Sequence, residues 1–156
     1  MKESAPISLD DSLWPLVIVR FVGTPPLRDF EAYLEKSLEI LRRGQPHLLL
    51  VDVDRSREDG TPPLEHRQLL ANWLARHEER IRQTVLGVAY ATDSALVRLA
   101  LSLLFHLKAP ASPYVVAPNL ELGAAWAACR LSEAGLYADA EHIRLHFGLL
   151  RPRRHA

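Results

Sequence analysis

The stretch Leu48-Leu49-Leu50-Val51 runs on through Asp52 to Val53 as an almost unbroken apolar segment of strand length. A strand with one wet face alternates apolar and polar residues, whereas a strand without alternation has to be covered on both faces. The segment therefore calls for helices packed above and below a sheet.

The flanking sequence supplies them. Leu16 to Val22 is a β-branched run closed by Gly23, a strand pattern. Thr24-Pro25-Pro26 then offers an N-cap and a proline for a first helical turn. Phe30, Tyr33, Leu34, Leu38 and Leu41 follow at helical spacing, with acids Asp29 and Glu31 near the start, Arg42 and Arg43 near the end, and Gly44 as a stop. Thr61-Pro62-Pro63 opens a second helix whose stripe is Leu70, Trp73, Leu74, His77 and Ile81. Val85 to Ala91 reads as a third strand, with Thr92 or Asp93 capping a third helix to about Leu107. Tyr114 to Ala117 is a short fourth strand, and Asn119 caps an alanine-rich helix to about Glu133. Residues 5–11 add an edge strand and Tyr137 to Leu149 a further helix. Strands alternating with helices imply right-handed βαβ crossovers. The expected fold is α/β, a mostly parallel sheet of four to five strands in a single domain over residues 1–156. Its core covers about 14–133, followed by a C-terminal segment at 137–156.

A length of 156 residues suits one such domain. The 19 basic and 19 acidic side chains cancel, which leaves no field to steer the chain towards nucleic acid, so no nucleic-acid partner is expected. Arg151, Arg153 and Arg154 read as a solvated end. Cys129 is the one cysteine, which precludes an intramolecular disulfide and suits a reducing compartment. The start Met1-Lys2-Glu3-Ser4-Ala5-Pro6 has no signal-peptide core. The apolar-rich run from Ala95 to Leu107 is short and interrupted by Arg98, Ser102 and His106, so no membrane span is expected. The location these features suggest is cytoplasmic.

The order of elements resembles the STAS fold of the anti-anti-sigma factors, in particular their divergent SpoIIAA-like group. The resemblance covers about residues 14–133. It rests on Arg20-Phe21-Val22-Gly23, the helix with Phe30, Tyr33 and Leu34, the strand Leu48-Leu49-Leu50-Val51-Asp52, Trp73-Leu74, Gly87-Val88-Ala89-Tyr90, and Ala124-Ala125-Trp126. Regulatory members of that family carry an Asp-Ser-Ser-Gly-like turn with a phosphorylated serine. The matching stretch here is Asp54-Arg55-Ser56-Arg57-Glu58-Asp59-Gly60-Thr61, where neither Ser56 nor Thr61 sits in that motif. The resemblance implies a non-catalytic module that docks a protein partner or, as in some divergent members, holds a small lipophilic ligand; a second copy is a further candidate partner, suggested by the leftover apolar residues of the third helix.

One enzymatic alternative comes from Asp52-Val53-Asp54. An apolar strand ending in Asp-x-Asp resembles the first motif of haloacid-dehalogenase-type phosphohydrolases. Residues i and i+2 of a strand share a side, so both carboxylates could hold Mg²⁺ while Asp52 attacks phosphorus and Asp54 moves the proton. Thr92 ends a strand as that family's second motif requires, and Lys108 follows. The strand Tyr114 to Ala117, however, is followed by Pro118 and Asn119 and no acid that would complete the Mg²⁺ shell. No glycine-rich phosphate loop and no nucleophile elbow is present, and no cofactor is expected. Cys129, among alanines, reads as a buried inert thiol. His142 and His146 have zinc-compatible spacing but lack companion ligands, and read as solvated.

Ligands of open parallel sheets bind beyond the carboxyl ends of the strands. That makes Asp54, Ser56, Thr61, Thr92, Asp93 and Ser94 the loop candidates for a ligand or partner, although each also suits helix capping. In the third helix, Arg98, Ser102 and His106 form a narrow polar stripe. Leu96, Val97, Ala100, Leu103, Leu104 and Leu107 supply an apolar core face, and Leu99, Leu101 and Phe105 are left over as candidates for an interface. An apolar cavity beneath that helix would point to the lipophilic carrier, a flat exposed patch to the interaction module.

Overall fold

The computed structural model describes residues 7–54 and 63–149. Strands β1 (Ile7–Leu13) and β2 (Leu16–Val22) form an antiparallel pair that turns through Trp14 and Pro15. The chain then runs through α1 (Leu27–Arg42), β3 (His47–Asp54), α2 (Leu64–Arg76), α3 (Glu78–Thr84), β4 (Val85–Ala91), α4 (Ala95–Leu107) and β5 (Tyr114–Ala117). Helices α5 (Leu120–Glu133) and α6 (Tyr137–His146) follow.

The sheet order is β1-β2-β3-β4-β5, with β2 to β5 parallel. Each parallel step moves to the next neighbour on the same side, so right-handed crossovers place α1, α2, α3 and α4 on one face. Helix α5 returns across the other face, where Ala124, Ala127 and Ala128 pack on Leu48, Leu50 and Ala89. Helix α6 closes over α5 through Ala140 and Ile143, both fully buried. The unbroken apolar run in β3 is thereby explained. Leu48 and Leu50 serve the α5 face, while Leu49 and Val51 serve the face beneath α1, in a cluster with Val17, Val19 and Ile40.

Several local expectations shift. The edge strand lies at Ile7–Leu13, two residues later than read from sequence. Pro26 takes the cap position of α1 with an extended ψ of 151° and no side-chain cap, so Thr24 stays in the preceding loop. Helix α4 is capped by Ser94, whose Oγ accepts from the Val97 amide at 3.3 Å; Thr92 Oγ1 in turn accepts from the Ser94 amide at 3.1 Å. The expected second helix is divided at His77. Basic Arg76 ends one piece and acidic Glu78 and Glu79 begin the next, so each terminus carries the charge its dipole favours. Asn119 caps α5 as the sequence suggests, its Oδ1 accepting from the Leu122 amide at 2.9 Å.

Candidate functional site

Between the sheet and helices α1, α2 and α4 lies a cavity of about 280 Å³. Its floor is the odd-numbered side of β3, Leu49, Val51 and Val53, with Val88 and Tyr90 from β4. Helix α1 contributes Phe30, Tyr33, Leu34 and Ile40; α2 contributes His66, Leu70 and Trp73; α4 contributes Val97, Ala100, Leu101, Leu104 and Phe105. Helical periodicity explains the α4 set: positions 97, 100, 101, 104 and 105 form one inward stripe, with Leu96 at its margin.

Aromatic rings frame the space at two places. Phe21 and Phe30 meet Tyr33 at 5.3 and 5.8 Å between centroids near the start of α1. Phe105 meets Tyr114 at 4.7 Å and Tyr90 at 5.8 Å on the β5 side. Burial raises the pKa of the Tyr33 hydroxyl, against a smaller opposing effect of its hydrogen bond with Ser37. Burial likewise pushes Tyr90 well above the ordinary phenol range, reinforced by Tyr33 and Tyr114. Both rings are surrounded by protein yet keep accessible surface, as side chains facing an internal space do. Towards the C-terminal end of α4, Lys108 also lines the cavity and donates to Glu78 Oε2 at 2.9 Å. That hydrogen bond, followed by the attraction between the two charges, holds the Glu78 carboxyl below its usual range. The walls can therefore enclose an apolar body and offer only a few polar contacts.

The residues singled out from sequence fall in several places. Ser56 and Thr61 lie outside the described residues, and Asp54 ends β3. Thr92 and Ser94 are buried in the cap of α4, and Asp93 between them is exposed. Thr92, Asp93 and Ser94 do not line the cavity. Strands β2 to β5 step in one direction without the reversal that opens a crevice at strand ends, and the cavity lies under the helices instead. Of the three interface candidates, Leu99 is 50% exposed, whereas Leu101 and Phe105 are half-buried in the cavity wall. The expected exposed patch is thus divided. Leu96 and Leu107, expected in the core face, are 40% and 48% exposed instead.

Asp52 pairs with Arg20, its register partner on β2, at 3.8 Å. Lys108 ends a helix antiparallel to β4 and so lies towards the opposite end of the sheet from Asp52 and Thr92. The set suggested by the phosphohydrolase resemblance is not brought together. Cys129 is exposed, a correction to its reading as buried, because the inward stripe of α5 is Gly123, Ala124, Ala127, Ala128 and Leu131. His142 and His146 are exposed on α6. Among the described residues no group of three His, Cys, Asp or Glu is placed to hold a metal ion, and no helix is long and apolar enough to cross a membrane.

A second, open depression lies where α1 and α2 end, lined by Arg42, Arg76, His77 and Arg80. Burial first, then the three arginines, lowers the His77 pKa. Arg42 and Arg76 stand in the last turns of their helices, where cations complement the dipole.

No family model, curated protein or solved structure matches the chain.

Proposed function

We propose that the chain is a non-catalytic, STAS-like binding module that takes one small lipophilic molecule between its sheet and α4. The observation that carries this reading is the apolar, aromatic-walled cavity of about 280 Å³ beneath that helix. Ligand sites start at roughly 300 Å³, and a cavity of about 150 Å³ suffices for benzene. The space therefore suits a molecule of about a dozen non-hydrogen atoms. A resident apolar molecule would add contacts along walls that the protein's own side chains leave unpacked. The single cysteine supports a reducing, cytoplasmic compartment for this activity.

Thermal melting with naphthalene tests the proposal. A ligand at about 100-fold its Kd stabilises by about 2.7 kcal/mol, which raises the Tm of a domain this size by several degrees. Ala100→Trp, which fills the space from the α4 side, should remove the shift and leave a folded protein. An unchanged Tm of the wild type with both naphthalene and 1-decanol would refute the proposal.

A second reading, docking of a protein partner or a second copy, draws on the outer face of α4. Leu99 and Leu107 stand there, 50% and 48% exposed. Leu99→Glu should abolish such association without altering naphthalene binding, as sedimentation would reveal.

A further inference from the structure

The depression where α1, α2 and α3 meet gathers three positive charges around one histidine. Arg42, Arg76 and Arg80 line it, one from each helix, and all three lower the pKa of His77 after the larger effect of burial. Among the described residues none of these three guanidinium groups has a hydrogen-bond or ion-pair partner. The acid in the wall, Glu79, is already engaged: its carboxylate accepts from Arg82 at 3.2 Å and from Gln83 at 3.4 Å. The 19 basic and 19 acidic side chains of the chain cancel, so the excess is local. The helix dipole accounts for Arg42 and Arg76, at the ends of α1 and α2, but not for Arg80 in the opening turn of α3, where a cation is disfavoured. Arg76 and Arg80 are also four residues apart on a backbone whose helical hydrogen bonds continue past the break, from the His77 amide to Trp73 and from the Ile81 amide to His77. Like charges at that spacing repel, and an anion seated among them relieves the repulsion.

We infer that this depression is an anion site and that its ligand is a soluble small molecule bearing a phosphate monoester, held by Arg42, Arg76 and Arg80. Guanidinium groups present paired N–H donors that match phosphate oxygens. Three arginine charges less that of Glu79 leave two, the charge a phosphate monoester approaches near neutral pH. A carboxylate or a sulfate ester brings only one. The depression is concave, with a volume of about 370 Å³, which is the scale of a small-molecule site. It shares no lining residue with the cavity beneath α4, so the anion site stands or falls independently of the lipophilic ligand.

Methyl phosphate and methyl sulfate test the site, because they match in shape, carry no sizeable apolar body for the cavity, and differ in charge at about pH 8. Amide ¹H–¹⁵N shifts are followed at constant ionic strength. With methyl phosphate the amides of residues 76–80 should shift and saturate, at a Kd about tenfold below that for methyl sulfate. Arg76 and Arg80 are exposed, so Arg76→Gln and Arg80→Gln should remain folded, and each should weaken methyl phosphate binding about tenfold. Arg98→Gln, which removes an exposed arginine of α4, should leave binding unchanged. Shifts that do not saturate, equal affinity for the two esters, undiminished binding in both depression variants, or an equal loss in Arg98→Gln would overturn the site. Phosphatidic acid vesicles or a phosphoserine peptide binding more tightly than methyl phosphate would overturn its assignment to a soluble small molecule.

Discussion

Gly87 occupies β4 directly beneath the indole of Trp126, and a Cβ placed on it would stand 2.5 Å from Cη2 and 2.9 Å from Cζ3 of that ring. Alanine is otherwise the better residue inside a strand, so any loss of stability reports the clash. Gly87→Ala is expected to cost about 1–3 kcal/mol in urea unfolding, the range for overpacking. His47 presents a different single-residue effect. It is 1% exposed, stacks on Trp14 at 5.3 Å and donates from Nδ1 to the Gln45 carbonyl at 2.9 Å. Burial lowers its pKa, with Arg43 adding to the effect and the hydrogen bond opposing it. The unfolded chain, near 6.5, then takes up the proton more readily than the folded one as pH falls. Stability is full above about pH 6.5 and declines below it, towards the depressed folded value; His77 pulls in the same direction. His47→Gln, which keeps a donor for Gln45, should flatten the fall in Tm between about pH 6.5 and 5.

Helix α4 shows what was legible in the sequence at the scale of an element. Its span and helical period were readable, because Ala95 to Leu107 lies between a cap and a break. Its rotation was not. The face lining the cavity comprises Leu96, Val97, Ala100, Leu101, Leu104 and Phe105, which keeps four of the expected Leu96, Val97, Ala100, Leu103, Leu104 and Leu107 and exchanges Leu103 and Leu107 for Leu101 and Phe105. The face is turned by about half of the 100° that one residue spans, and a helix apolar on nearly every side does not specify which arc is covered. Tyr90 and Tyr114 settle it by receiving the Phe105 ring. The break at His77 had a sequence signal in the step from Arg76 to Glu78-Glu79, which an uninterrupted apolar stripe concealed. Phe105→Glu should therefore destabilise by several kcal/mol, and Leu99→Glu by no more than about 0.5 kcal/mol, measured by denaturant unfolding. The cavity itself was not legible. It is the difference between the volume that the elements enclose and the volume that their side chains fill, and periodicity reports neither quantity.

At the scale of the whole molecule the two faces of the sheet are built differently. Helix α5 presses glycine and alanine against β3 and β4, and Gly123 sits where a Cβ would come within 2.7 Å of Leu50 Cδ1. On the opposite face α1 buries Phe30, Leu34, Ile40 and Leu41, but α2 buries only Ala71 and α4 only Leu104, so the light fastening is confined to α2 and α4. The fold thus joins a tightly fastened half to a lightly fastened one, and amide hydrogen exchange should separate them. Amides of β3 and α5 are expected to exchange only with global unfolding, those of α4 through smaller and more frequent openings that bound naphthalene suppresses. The same asymmetry bears on time. The cavity is partly open to solvent, so uptake of a small ligand should not await the lifting of α4, and the observed rate should rise in proportion to ligand concentration. Rapid mixing with naphthalene would show that rise, and substitutions that loosen α4 should speed release while leaving the α5 half undisturbed.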